Sequence, residues 1–180
     1  TKTFSVTMGT ESSTNTITAS DVTNSSITAN TSPQISVTRP TQASDYFRSR
    51  ISGNWATAAT WESSPDGSTN WITATLAPTT NANTITILNT HTVTVAASVS
   101  ADQLVVNAGG QLTVSASQTL TIADGTGTDI QVSGTLYNSG TVTMTGTGSF
   151  LSGGAYTHNI NGGTVPTASW AIPAAASQRD

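Results

Sequence analysis

The chain has 180 residues, enough for one domain or for one domain with a small appendage. Only 8% of them are charged, against about 25% in an ordinary domain, and five Lys+Arg against nine Asp+Glu leave a net charge of −4. So few basic groups exclude a phosphate-reading nucleic-acid surface, scarce Glu and Lys argue against a helix bundle, and the absence of Cys excludes disulfides.

Residues 1–40 are dense in Thr, Ser and Asn, with apolar residues as singletons. Alternation at Phe4-Ser5-Val6-Thr7-Met8 and Gln34-Ile35-Ser36-Val37, and more weakly over Thr14–Thr18, predicts short strands with one buried face. The competing reading of this region is a polar linker.

Residues 45–78 hold the unusual side chains: Tyr46, Arg48, Arg50, Trp55, Trp61, Glu62, Asp66 and Trp71. Ser64-Pro65-Asp66-Gly67 predicts a turn. Residues 81–163 are strand after strand, from Thr84-Ile85-Thr86-Ile87 to Ser149-Phe150-Leu151, separated by Gly, Asn, Asp and Ser. β-Branched runs of three to five residues with turns every six to ten predict an all-β domain.

Spacing separates the all-β architectures. Ile85 to Leu104 and Val93 to Leu112 are 19 residues, Leu112 to Ile130 is 18, and Leu104 to Leu120 is 16. This approximates one coil of a short parallel β-helix, with a β-sandwich as the alternative. A solenoid needs covered ends. Residues 1–40 and the Trp-rich segment 45–78 are candidate caps at one end, and Val165–Ala176 of the 164–180 tail at the other. The domain reading is therefore 1–40 and 41–180, with coils over 81–163.

The residues Gly53-Asn54-Trp55, Thr60-Trp61-Glu62, Asp66-Gly67, Trp71, Pro78 and Ala82-Asn83-Thr84-Ile85-Thr86-Ile87, followed by His91-Thr92-Val93-Thr94-Val95, Leu104-Val105-Val106 and Gly109-Gly110-Gln111-Leu112-Thr113-Val114, resemble a recurrent module of secreted Bacteroidota-type proteins. The opening is similar to the G8 domain. The resemblance spans about Tyr46 to Trp170 and implies a right-handed parallel β-helix in a secreted or cell-surface protein. The nearly uncharged strands depart from G8, and residues 1–40 have no counterpart in it.

Catalytic equipment is thin. Residues 81–163 contain Asp102, Asp124 and Asp129 but no Lys or Arg, which argues against lyase chemistry. Glu62 and Asp66 are the nearest carboxylates that could flank a glycosidic bond, but Asp66 belongs to a turn. His91 and His158 have no ligand cluster around them, so zinc is not expected. Asp124-Gly125-Thr126-Gly127-Thr128-Asp129 offers hard oxygens from Asp124 and Asp129 to calcium, with a turn capped by two Asp as the alternative.

The function read from the sequence is a non-catalytic extracellular module that binds a polysaccharide or cell-surface glycan, or an accessory module of a larger carbohydrate-active enzyme. Rings stack on sugar faces while polar groups fix orientation. Tyr46, Arg48, Arg50, Trp61, Glu62, Asn70 and Trp71 are the candidate contacts. The alternative is a structural or adhesin element, in which the Thr-rich first region pairs by strand addition with another domain or subunit. Ice binding through stacked Thr-x-Thr pairs is the minor reading, since the pairs are unevenly spaced. No stretch has the length of a membrane span. The chain reads as a mature protein or a piece of a larger one.

Overall fold

The computed structural model describes residue 6 and residues 12–20, 22–24 and 26–171. The chain divides into two compact units, Thr1–Pro40 and Thr41–Asp180. No α-helix occurs among the described residues.

In the first unit, β1 (Ser12–Asn15) pairs antiparallel with β4 (Ile35–Val37), and between them β2 (Thr18–Ala19) pairs antiparallel with β3 (Asn30–Thr31). The Thr18 and Thr31 hydroxyls meet at 2.8 Å, a cross-strand Thr pair suited to a solvent-facing ribbon. The strand expected at Phe4–Met8 lies outside the described residues, apart from Val6.

The second unit begins with β5 (Tyr46–Ser49), β6 (Gly53–Asn54), a 3-10 turn at Ala58–Thr60, β7 (Trp61–Ser64) and β8 (Ile72–Thr73). The coils follow: β9 (Thr84–Ile87), β10 (Thr92–Val95), β11 (Val99–Ala101); β12 (Leu104–Val106), β13 (Gln111–Val114), β14 (Thr119–Ile122); β15 (Ile130–Val132), β16 (Thr135–Asn138), β17 (Thr141–Met144). β18 (Gly148–Phe150), β19 (Ala155–His158) and β20 (Ser169–Trp170) carry the stack onward. It is a parallel β-solenoid of about four turns. Its first wall is β5-β9-β12-β15-β18-β20, its second β6-β10-β13-β16-β19, and its third β11-β14-β17. The hairpin β7–β8 extends the first wall antiparallel beyond β5.

Alternation sorts the side chains: in β9, β10, β13, β14 and β16, Thr, Gln, Tyr and other half-exposed residues alternate with buried ones. Inward residues stack in register, as in Ile85–Leu104–Ile130, Val93–Leu112–Leu136 and Leu120–Val142. At roughly 25 cal/mol per Å² of buried apolar surface, these columns supply the main stabilisation. Gly134 lies at a corner where a Cβ would meet the Gly110 and Asn107 carbonyl oxygens at 2.2 and 2.3 Å. Only glycine lets one coil lie that close to the next.

The ladder corrects part of the spacing argument. The 19-residue spacings are true stacking intervals. Leu112 and Ile130 belong to different walls: Leu112 stacks on Leu136 and Ile130 on Leu104. The second coil is longer because residues 123–129 form an extended corner between β14 and β15. The Thr-x-Thr pairs fall on all three walls, yet Thr119/Thr121 and Thr141/Thr143 do stack directly, which their sequence spacing concealed.

Candidate functional site

Trp55 and Trp61 form the lid at the start of the solenoid. Their rings meet edge to face, with centroids 5.0 Å apart. Each indole N–H is satisfied internally, Trp55 donating to the Pro78 carbonyl and Trp61 to the Trp55 carbonyl. Trp61 is 0% exposed, so its expected role in ligand contact is corrected: alternation in β7 turns it inward, where it packs in the core.

The same alternation turns Tyr46, Arg48 and Glu62 outward. In β5, Phe47 and Ser49 point into the core while Tyr46 and Arg48 stay half-exposed. Arg48 is directly opposite Glu62 on β7 and beside Thr86 on β9, and Tyr46 is beside Thr84. The Arg48 Nε and a terminal guanidinium nitrogen both donate to Glu62 Oε2 at 2.8 Å. Both side chains keep contact with water, so the pair contributes at most about 1 kcal/mol and serves chiefly to aim the guanidinium.

The turn after β7 completes the site. Asp66 accepts hydrogen bonds from the backbone N–H groups of Ser68 and Thr69 and from the Thr69 and Ser64 hydroxyls. The Thr69 hydroxyl and these other donors hold the Asp66 carboxyl well below the usual carboxylate range. Gly67 has φ +70°, and a Cβ there would lie 2.7 Å from Tyr46 Cδ1, so the turn rests on the tyrosine ring. Trp71 emerges from the turn with its ring centroid 4.1 Å from the Arg48 guanidinium carbon, a cation–π contact.

The result is a groove of about 350 Å³ on the outer face of the first wall, lined by Tyr46, Phe47, Arg48, Gly67, Trp71, Thr84, Thr86 and Leu88. It has two half-exposed rings, a fixed cation and threonine hydroxyls. Neither the Tyr46 hydroxyl nor the Trp71 indole N–H has a hydrogen-bond partner among the described residues. Of the expected contacts, Tyr46, Arg48 and Trp71 line the groove and Glu62 braces it. Arg50 lies exposed past the end of β5, and Asn70 occupies a left-handed turn position (φ 52°) with its amide donating to Thr69; neither lines the groove. Thr84 and Thr86 were missed in the sequence because their outward position beside β5 depends on the stacking register.

The acidic corner differs from the calcium reading. Asp129 is buried; Oδ1 accepts the Gly125 N–H and Oδ2 accepts the Thr147 N–H and hydroxyl. Burial would raise its pKa, but these donors and Asp102 together hold it low. Its hydrogen-bonded neighbour is Asp102; burial and the nearby Asp129 and Asp124 push Asp102 up. The Gly125 and Thr147 N–H groups and the Thr147 hydroxyl already take most of the acceptor positions of the Asp129 carboxylate. No group of three potential metal ligands occurs among the described residues.

His91 is a corner residue, its Nδ1 within 2.8 Å of the Ser49 hydroxyl and 3.1 Å of the Ser49 carbonyl oxygen. At the other end, Trp170 stacks on Phe150 with centroids 4.0 Å apart and interplanar angle 10°. No helix of the described residues is long and apolar enough to cross a membrane.

Fold and site together define a β-solenoid module with an aromatic-cationic groove on its first wall. Comparison with known proteins found no matching family model, no matching curated protein and no matching solved structure.

Proposed function

We propose that the 41–180 unit is a non-catalytic glycan-binding module whose ligand lies in the Tyr46–Arg48–Trp71 groove. The observation that carries this reading is the pairing of half-exposed rings with unpartnered polar tips beside a guanidinium that Glu62 holds in place. Sugar rings present C–H faces to aromatic rings and hydroxyls to Arg, Tyr, Trp N–H and Thr groups. Arg48 takes one face of Trp71, so the sugar meets the surface the groove leaves open. The groove's charged residue and its brace neutralise each other, which suits a neutral or weakly acidic polysaccharide better than a densely anionic one. The resemblance of the Trp-rich opening to G8 and to secreted modules supports a secreted or cell-surface setting.

Affinity electrophoresis tests this. The protein is run in native gels containing neutral or acidic plant and algal polysaccharides, beside Trp71→Ala. Retardation of the wild type in at least one gel is expected, with its loss in the variant. Free migration of folded wild type in every gel contradicts the proposal.

A further inference from the structure

Arg48 has donors left over. A guanidinium carries five N–H groups in one rigid plane. Two of them, on Nε and one terminal nitrogen, converge on the single oxygen Oε2 of Glu62 at 2.8 Å. The remaining N–H groups meet no acceptor among the described residues. One on each terminal nitrogen runs parallel to the other, a fork along the end of the guanidinium that Glu62 does not occupy. Glu62 stands on β7 and does not line the groove, whereas Arg48 does. Trp71 lies against the guanidinium at 4.1 Å, so ring and ion pair together fix the plane of the fork.

The neighbouring strand supplies acceptors. In the β5–β9 ladder Thr86 stands beside Arg48 and Thr84 beside Tyr46, both half-exposed and lining the groove. The Thr84 hydroxyl donates to the Asn83 carbonyl at 2.8 Å, which leaves its oxygen to accept. The Thr86 hydroxyl has no partner among the described residues. A ligand that satisfies both strands needs two adjacent oxygens that accept and that also carry protons to give. Resting on the glycan reading above, we infer that the groove selects a vicinal diol: two neighbouring sugar hydroxyls accept from the Arg48 fork and donate to Thr84 and Thr86. A carboxylate also matches a guanidinium fork, but it has no proton for Thr84. Charge decides against it as well. Glu62 already meets the guanidinium, and Asp66 sits in the turn that brings Gly67 to the groove. A uronate would enter beside two carboxylates and one cation. The class selected is a neutral glycan whose chain residues keep adjacent hydroxyls free. 1,4-Linked pyranosides do so at C2 and C3, whereas 1,3-linked chains cover one member of each pair.

Affinity electrophoresis across linkages tests the inference. Native gels contain xyloglucan or galactomannan, whose 1,4-linked backbones keep the diol, or a long linear β-1,3-glucan, or polygalacturonate. Retardation is expected in at least one of the first two gels and not in the β-1,3-glucan, with polygalacturonate no stronger than the better neutral gel. Arg48→Lys keeps the charge and loses the fork. It should weaken binding at least about tenfold, read from mobility against polysaccharide concentration, with the melting temperature unchanged. Thr84→Val removes the acceptor and should weaken binding in the same gels. Equal retardation by the β-1,3-glucan, retardation by polygalacturonate alone, or undiminished binding by Arg48→Lys would each overturn the diol assignment while Trp71→Ala still marks the groove as a glycan site. Free migration of the folded wild type in every gel contradicts the glycan reading itself, and the diol assignment with it.

Discussion

Trp61 and Trp71 stand ten positions apart and have opposite roles. Trp61 fills the start of the core, and truncation to Ala should cost about 3–5 kcal/mol, read as a lower midpoint of chemical denaturation. Trp71 lies on the surface over Arg48; its removal forfeits a cation–π contact of about 0.5–1 kcal/mol and should leave the fold intact while glycan binding is lost. Sequence alone left Trp61 both a cap residue and a candidate contact beside Trp71, because nothing in Trp61-Glu62 tells which parity of the strand faces inward. Burial of Phe47 and Ser49 fixes that parity in β5, and the β5–β7 register carries it to Trp61. Asp66 has a matching pH signature. Its pKa is depressed in the folded state, so its contribution is present above the ordinary Asp value of about 3.9 and is lost as pH falls through the folded value. Protection of the amides in the 64–70 turn, corrected for intrinsic exchange, should therefore hold from neutrality to about the ordinary Asp value and fall progressively in stronger acid. A loss of protection between pH 7 and 5 would contradict the role assigned to its hydrogen bonds.

At the scale of elements, corners and turns decide what the strands can do. Gly67→Ala forces a left-handed residue, about 1–2 kcal/mol, and drives a methyl into Tyr46. It should lower both stability and glycan affinity, whereas a substitution at exposed Ser68 should change neither. Thr90 adopts φ 67°, an uncommon place for a β-branched side chain. Thr90→Asn should raise stability by about 1 kcal/mol, checked by denaturation. The corner at residues 123–129 is held by Asp129; Asp129→Ala orphans the Gly125 and Thr147 N–H groups and should cost about 1–3 kcal/mol for each donor left unpaired. Calcium should not restore that loss. The strands of this region were plain in the sequence, since Thr84–Ile87 and Thr92–Val95 alternate cleanly. Their assignment to walls was not, because the 123–129 corner adds residues without adding a strand and so breaks the sequence period while the stacking register persists.

For the whole molecule, low charge proved informative about location as well as class. A solenoid built from Thr, Val, Ile and Leu needs no ion pairs to stack, and the coils contain no Lys or Arg. Arg48, held by its partner Glu62, faces the groove beside the rings of Tyr46 and Trp71. The sequence showed that charges and rings gather in the 45–71 stretch, but the groove also needs Thr84 and Thr86 from the first coil, which only the parallel pairing of β5 with β9 brings alongside. The groove is thus a product of the solenoid's register and of the turn that Asp66 and Gly67 fold over it. Calorimetric titration of wild type, Trp71→Ala and Trp170→Ala with the polysaccharide that retards the protein tests this assignment most directly. Binding should vanish in Trp71→Ala and persist in Trp170→Ala, with both variants folded. Undiminished binding by Trp71→Ala, or its loss only in Trp170→Ala, would place the ligand elsewhere and contradict the assignment.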